Sequence, residues 1–218
     1  DADLDLAVEL ACGGGFFNAG QMCSATSRVL VADSLADEFL QRVQARAEGI
    51  RVADPFADDV EMGALINRVQ YQRVLRHIQR GVEDGARLLC GGDRPADLPQ
   101  GFFIRPTVFT DVPLDSALWN EEIFGPVLCV RRFTSEAEAI ALANDSDFGL
   151  VASVVSASHE TAERVANALQ AGLVWVNAPQ VIFPQAAWGG YKQSSIGREL
   201  GPWGLAAFQE VKHVIHAV

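Results

Sequence analysis

Amphipathic helical segments alternate with short β-branched runs along the whole of this 218-residue chain, and that alternation restricts the fold more than any other feature. Leu35, Phe39, Leu40 and Val43 recur at helical spacing behind Asp33-Ser34, a pair suited to a helix start. Ile66, Val69, Val74, Leu75, Ile78 and Val82 make a second apolar stripe that stops at Gly85, with Arg76 and Arg80 toward its end. Ser135 and Glu138 have capping-box spacing ahead of Ile140 and Leu142, and Ser158 opens a helix carrying Ala162, Val165, Ala166 and Leu169. Between these helices, Arg28–Ala32, Arg87–Cys90, Val127–Phe133, Leu150–Val155, Leu173–Asn177 and Val211–His216 read as strands. Strands separated by helices of ~10–20 residues run parallel and are joined by crossovers, which predicts a three-layer α/β/α domain with a mostly parallel sheet. The near-continuous apolar run at Val151–Val155 predicts a strand covered by helices on both faces. No repeat or linker divides the chain, and Gly91-Gly92-Asp93-Arg94-Pro95 reads as a surface loop, so residues 1–218 read as one domain.

Charge narrows the partners. Seventeen basic side chains stand against 28 acidic ones, a formal charge of −11, which argues against nucleic acid or an anionic membrane surface. No apolar run is long enough for a membrane helix, and the start Asp1-Ala2-Asp3-Leu4-Asp5 has neither the basic nor the apolar part of a signal peptide. A cytoplasmic location is expected. Cys12, Cys23, Cys90 and Cys129 form no CxxC pair and sit at no metal-ligand spacing from a histidine, so no metal site is expected. They read as free thiols in a reducing compartment.

Three stretches could carry chemistry. Phe16-Phe17-Asn18-Ala19-Gly20-Gln21-Met22-Cys23 connects a helical stretch to the strand Arg28–Ala32, and its small residues could present the Cys23 thiolate to a cleft. A buried cysteine in a packed turn would look the same locally. Asn120-Glu121-Glu122-Ile123-Phe124-Gly125-Pro126 offers acids for ribose hydroxyls and an aromatic for a planar ring, although an acidic turn with a packed Phe fits equally well. Phe183 through Gly201 pairs glycines with aromatics, as a loop lining a pocket would, and contains neither GxxxxGK[ST] nor GxGxxG. His77 and His159 are expected at the surface and His213 and His216 on the last strand, with no context pairing any of them with Cys23.

Taken together and in this order, the three stretches resemble the catalytic domain of the NAD(P)-dependent aldehyde dehydrogenase superfamily. Phe16–Cys23 resembles its cysteine signature, Glu121–Val127 its cofactor-contact motif, and Gly189-Gly190-Tyr191-Lys192 through Arg198-Glu199 its C-terminal signature. The resemblance implies that the Cys23 thiolate attacks an aldehyde and passes through a thiohemiacetal and a thioester to a carboxylic acid, the hydride going to NAD or NADP. It implies that the Cys23 backbone N–H helps hold the oxyanion, that Glu122 holds the nicotinamide ribose and that Phe124 contacts the nicotinamide. It places Phe17, Met22, Ile182 and Trp188 around the substrate.

The motif details are closest to betaine-aldehyde and aminoaldehyde dehydrogenases, where Trp188 would form one wall of a box for a quaternary ammonium. Phe17 falls where plant members often carry a second Trp, and Ser195 replaces a common Gly. The family's cofactor domain and the Glu-Leu-Gly-Gly segment bearing the general base are expected upstream of Asp1; Glu9-Leu10 lies too close to Cys23 to be that segment. The chain therefore reads as a catalytic domain truncated at its N-terminal edge. It would be inactive alone in NAD-dependent turnover, or would survive only as a folded or associating module. In this family the last strand, here Val211–His216, serves homo-oligomerisation.

Overall fold

The structure is a computed structural model and describes residues 1–217. Helix α1 (Leu4–Phe16) begins where the Asp3 carboxylate accepts the N–H groups of Asp5 and Leu6, and a short turn over Phe17–Gly20 ends it. Strand β1 (Arg28–Ala32) leads directly into α2 (Asp33–Gly49), whose apolar stripe of Ala36, Phe39, Leu40, Val43 and Ala47 is buried. Next come α3 (Arg68–Glu83), β2 (Arg87–Cys90), β3 (Thr107–Thr110) and α4 (Ala117–Asn120). They are followed by β4 (Val127–Phe133), α5 (Glu136–Asn144), β5 (Phe148–Gly149) and β6 (Val151–Val154). The chain continues through α6 (His159–Ala168), β7 (Leu173–Val176), β8 (Tyr191–Lys192) and α7 (Gly201–Ala206). The expected capping serines are in place: Ser135 and Ser158 accept the N–H groups of Glu138 and Thr161.

The principal sheet has the order β1-β4-β3-β2, with β1, β4 and β3 parallel and β2 antiparallel to β3. Its centre, β4, is buried from Val127 to Val130 and separates two helical layers. Leu128 presses on α1, where a Cβ on Gly15 would lie 2.5 Å from the Leu128 Cδ2. On the opposite face the Cys129 Sγ donates to the Leu118 carbonyl of α4, and Gly81 of α3 fits against Leu118. These contacts make the three-layer α/β/α arrangement.

Four expectations need correction. The parallel pairing does not run through one sheet: β6 pairs with β7 alone, and β5 with β8 alone. For that reason β6 is not covered on both faces, and its side chains are half-buried or exposed. In α3 the helix starts only after Asn67, whose side chain accepts the Gln70 N–H, so Ile66 precedes the helix and is 77% exposed. Val69 in the first turn is 73% exposed as well, and the buried stripe is Val74, Ile78 and Gly81. Val211–His216 forms no strand, and Val211, Val214 and Ile215 are exposed. A strand exists only against a partner edge, and among the described residues this segment pairs with none.

Leu128 is fully buried at the junction of sheet and α1. Leu128→Ala should lower unfolding free energy by about 3 kcal/mol through lost burial and a cavity, read as a lower urea midpoint with an unchanged slope.

Candidate active site

The cysteine stretch reaches its position through an unusual backbone. Asn18 and Ala19 both have positive φ, as does Gly20, so three successive residues are left-handed. For Ala19 this is uncommon and costs energy that the surroundings must supply. The turn is stitched by the Asn18 side chain donating to the Gln21 carbonyl and the Gln21 side chain donating to the Asn18 carbonyl. Gln21 Oε1 also accepts the Ile66 N–H at 2.9 Å. Ser24 behind the thiol is buried, whereas Cys23 itself is exposed.

Gly20 is the contact point between the first and second stretches. A Cβ there would drive into the Gly125 carbonyl, so the two loops meet backbone to backbone. The second stretch is held from α3. Gln70 Nε2 donates to the carbonyls of Ile123 and Phe124 at 3.0 and 2.7 Å, and Arg73 donates to the Glu122 carbonyl at 2.5 Å. These bonds hold Phe124 at a positive φ of 56°. The segment leading into the third stretch is held where Gln180 Nε2 donates to Thr26 Oγ1 at 3.3 Å and Trp175 Nε1 donates to the Val181 carbonyl.

A cavity of about 650 Å³ opens between these loops. Met22, Cys23, Glu122 and Phe124 line it together with Gly20, Ser24 and Gln180. Among the described residues, the Cys23 N–H has no acceptor and the Glu122 carboxylate has no hydrogen bond or ion pair. Phe17, Ile182 and Trp188 are not in the lining: Phe17 and Ile182 are exposed, and Trp188 is half-buried where it exchanges backbone hydrogen bonds with Glu199. His77 departs from the expected surface position. Its side chain is only 10% exposed and faces Glu121 at 3.8 Å, and burial lowers its pKa. Its partner is Glu121, not Cys23. His159 is exposed as expected, whereas His213 and His216 are exposed on a segment that forms no strand. No group of three or more potential metal ligands occurs among the described residues.

Gln70, Arg73, Gln180 and the Gly20–Gly125 approach had no signal in the motifs. Only the glycines themselves hinted at a close approach. The other three thiols are buried, and burial pushes Cys12 and Cys129 up to about 12 and Cys90 up to about 11. They stay protonated at neutral pH.

An exposed thiol on a left-handed turn, beside a glutamate and an aromatic held by a second loop, defines a class. The aldehyde dehydrogenase family description matches residues 1–214, and the chain belongs to that family. It is 48% identical over 214 residues to a chloroplastic aminoaldehyde dehydrogenase of Arabidopsis thaliana, covering 98% of this chain and 43% of that protein. It is 47% identical to betaine aldehyde dehydrogenase 1 of Oryza sativa subsp. japonica, covering 98% and 42%. A crystal structure of betaine aldehyde dehydrogenase from Staphylococcus aureus with NAD+ superposes with a TM-score of 0.93 at 45% identity, over 95% of this chain and 42% of that one. An NAD+ complex of a Bacillus cereus aldehyde dehydrogenase gives 0.94 at 42% identity, over 97% and 43%. The chain thus spans less than half the length of these relatives. No helix is long and apolar enough to cross a membrane among the described residues.

Iodoacetamide at about pH 8 should alkylate Cys23 well before Cys12, Cys90 or Cys129, as read by peptide mapping. Gly20→Ala should cost about 2 kcal/mol or more, since it meets both positive φ and the Gly125 backbone. Gly49→Ala, with open space around it, should cost nothing in the same thermal unfolding assay.

Proposed function

We propose that this chain is the nucleophile-bearing part of an NAD(P)-dependent aldehyde dehydrogenase acting on betaine aldehyde or an aminoaldehyde. The observation that carries the proposal is that exposed Cys23, Glu122 and Phe124 line one cavity in a chain of this family. The Cys23 Sγ adds to the aldehyde carbon, forming a C–S bond while the carbonyl electron pair moves onto oxygen. The free Cys23 N–H is the chain's own donor to that oxyanion. Glu122, without another partner, is suited to accept ribose hydroxyls, and Phe124 to lie against the nicotinamide side. When bound, the nicotinamide supplies the hydride acceptor for the oxidation. Water cleaves the resulting thioester, releasing the carboxylic acid and regenerating the thiol.

The named relatives support the substrate class, being aminoaldehyde and betaine aldehyde dehydrogenases. Trp188 lies outside the lining of this cavity, and the family motif alone supports it as one wall for the cationic end of the substrate, where an indole face adds ~0.5–2 kcal/mol. Residues 1–218 form one catalytic domain that completes its cofactor site and general base with chain outside this range. Alone, it does not turn over with NAD. The free thiols suit a reducing compartment such as the cytoplasm. The exposed Val211–His216 is the segment through which the enzyme associates with its own kind.

In the full-length enzyme, Cys23→Ala should abolish NADH formation from betaine aldehyde. Trp188→Ala should raise KM about 2–30-fold for that substrate and leave it little changed for an uncharged aldehyde. The 218-residue chain with NAD and betaine aldehyde should form no NADH. Ordinary turnover by that chain, or by Cys23→Ala, would refute the assignment.

A further inference from the structure

Three consecutive glycines, Gly13-Gly14-Gly15, sit inside α1 just ahead of the cysteine stretch. Glycine weakens a helix interior relative to alanine, so such a run calls for a packing reason. Gly13 has open space around it, and Gly15 makes room for Leu128 of β4. Gly14 serves a different contact. A Cβ there would lie 2.4 Å from Thr26 Oγ1 and 2.8 Å from Gln180 Nε2. Those same two atoms are hydrogen-bonded to each other at 3.3 Å, and the Thr26 N–H donates to the Gly14 carbonyl at 3.1 Å. Three segments therefore meet at one point: α1, the chain just past Cys23, and the connection from β7 to Trp188.

That connection has few other ties. At its ends Asn177 bonds to the Ser156 backbone and Trp188 exchanges backbone hydrogen bonds with Glu199. Between them no helix or strand forms, and Val181, Ile182 and Phe183 are exposed. Among the described residues, the Gln180–Thr26 bond is the only hydrogen bond from residues 177–188 to the Cys23 stretch and the strand after it. Gln180 is also the only residue of that span in the lining of the Cys23 cavity, which Thr26 lines too. The cofactor-side loop is held by other means. Glu122–Phe124 is braced by Gln70 and Arg73 and by the Gly20–Gly125 approach, none of which involves residues 177–188. Separate bonds thus position the two walls of the cavity.

We propose that Thr26, Gln180 and Gly14 form a latch, and that Thr26 and Gln180 are positioning residues for the aldehyde. The latch seats the connection after β7 against the nucleophile loop and so sets the substrate wall without touching the cofactor wall. This rests on the reading of the cavity as an aldehyde dehydrogenase site. Gly14 is the fixed floor of the latch, because α1 is packed in the core through Gly15 and Leu128. Cys23 keeps its own anchors at Gly20 and Gln21, so opening the latch loosens substrate binding more than it moves the sulfur.

In the full-length enzyme, Thr26→Val removes the hydroxyl and keeps the shape. It should raise the aldehyde KM about 2–10-fold while kcat and the NAD KM change little. Thr26→Ser, which restores the hydroxyl, should recover most of the lost affinity. Gln180→Met should match Thr26→Val, and the double variant should be no worse than either alone, since both break one bond. Amide exchange of the peptide spanning residues 178–188, read by mass spectrometry, should quicken in Thr26→Val and slow again in Thr26→Ser. A parallel rise in both KM values, or additive effects of the two substitutions, would mean a general structural role and would overturn the latch. Unchanged exchange with an unchanged aldehyde KM would overturn it as well. Failure of the underlying reading looks different: Cys23→Ala would keep forming NADH, while the exchange measurement, which needs no turnover, would still report on the latch.

Discussion

Gly20 and Gly125 touch through their backbones, and the candidate site depends on that contact. Neither a Cβ at Gly20, which would meet the Gly125 carbonyl, nor one at Gly125, which would lie 2.5 Å from Val74, has room. The contact ties the end of α1 to the start of β4, two elements fixed in the core by Leu128 and Gly15. Cys23 therefore inherits its position from the sheet, although it sits on an exposed loop. The strained turn at Asn18 and Ala19 is tolerable because both of its ends are anchored this way.

Electrostatics separates the four chemically identical thiols. Three lie in the core, where desolvation raises their pKa values by more than the nearby cations Arg46, Arg105 and Arg28 lower them. Cys23, by contrast, is exposed. Among the described residues the Cys23 N–H and the Glu122 carboxylate have no protein partner, so both are available to a ligand in the cavity that these two residues line.

Much of this was legible in the sequence because it depends on short-range signals. Capping at Ser135 and Ser158, the stripes of α2 and the strands β1, β2 and β4 follow from periodicity and local hydrogen bonding. Cys23, Glu122 and Phe124 were visible through their motifs. What escaped were properties that depend on distant chain. Ile66 and Val69 carry an apolar period yet face outward, because Asn67 caps the helix after the first of them. Val211–His216 has the composition of a strand but pairs with no strand among the described residues, and β6 has an edge left open. Gln70 and Arg73 sit on a helix whose role in bracing the Glu122–Phe124 loop only the tertiary structure reveals.

The central claim is that this fold presents one thiol, Cys23, as a nucleophile in the cavity it lines. Acylation by p-nitrophenyl acetate followed by mass-spectrometric mapping tests it without any cofactor. The expected result is a single acetyl group, on the peptide that contains Cys23, accumulating while the other three cysteines stay unmodified. Acetylation spread across Cys12, Cys90 and Cys129 at comparable rates, or none at Cys23, would contradict it.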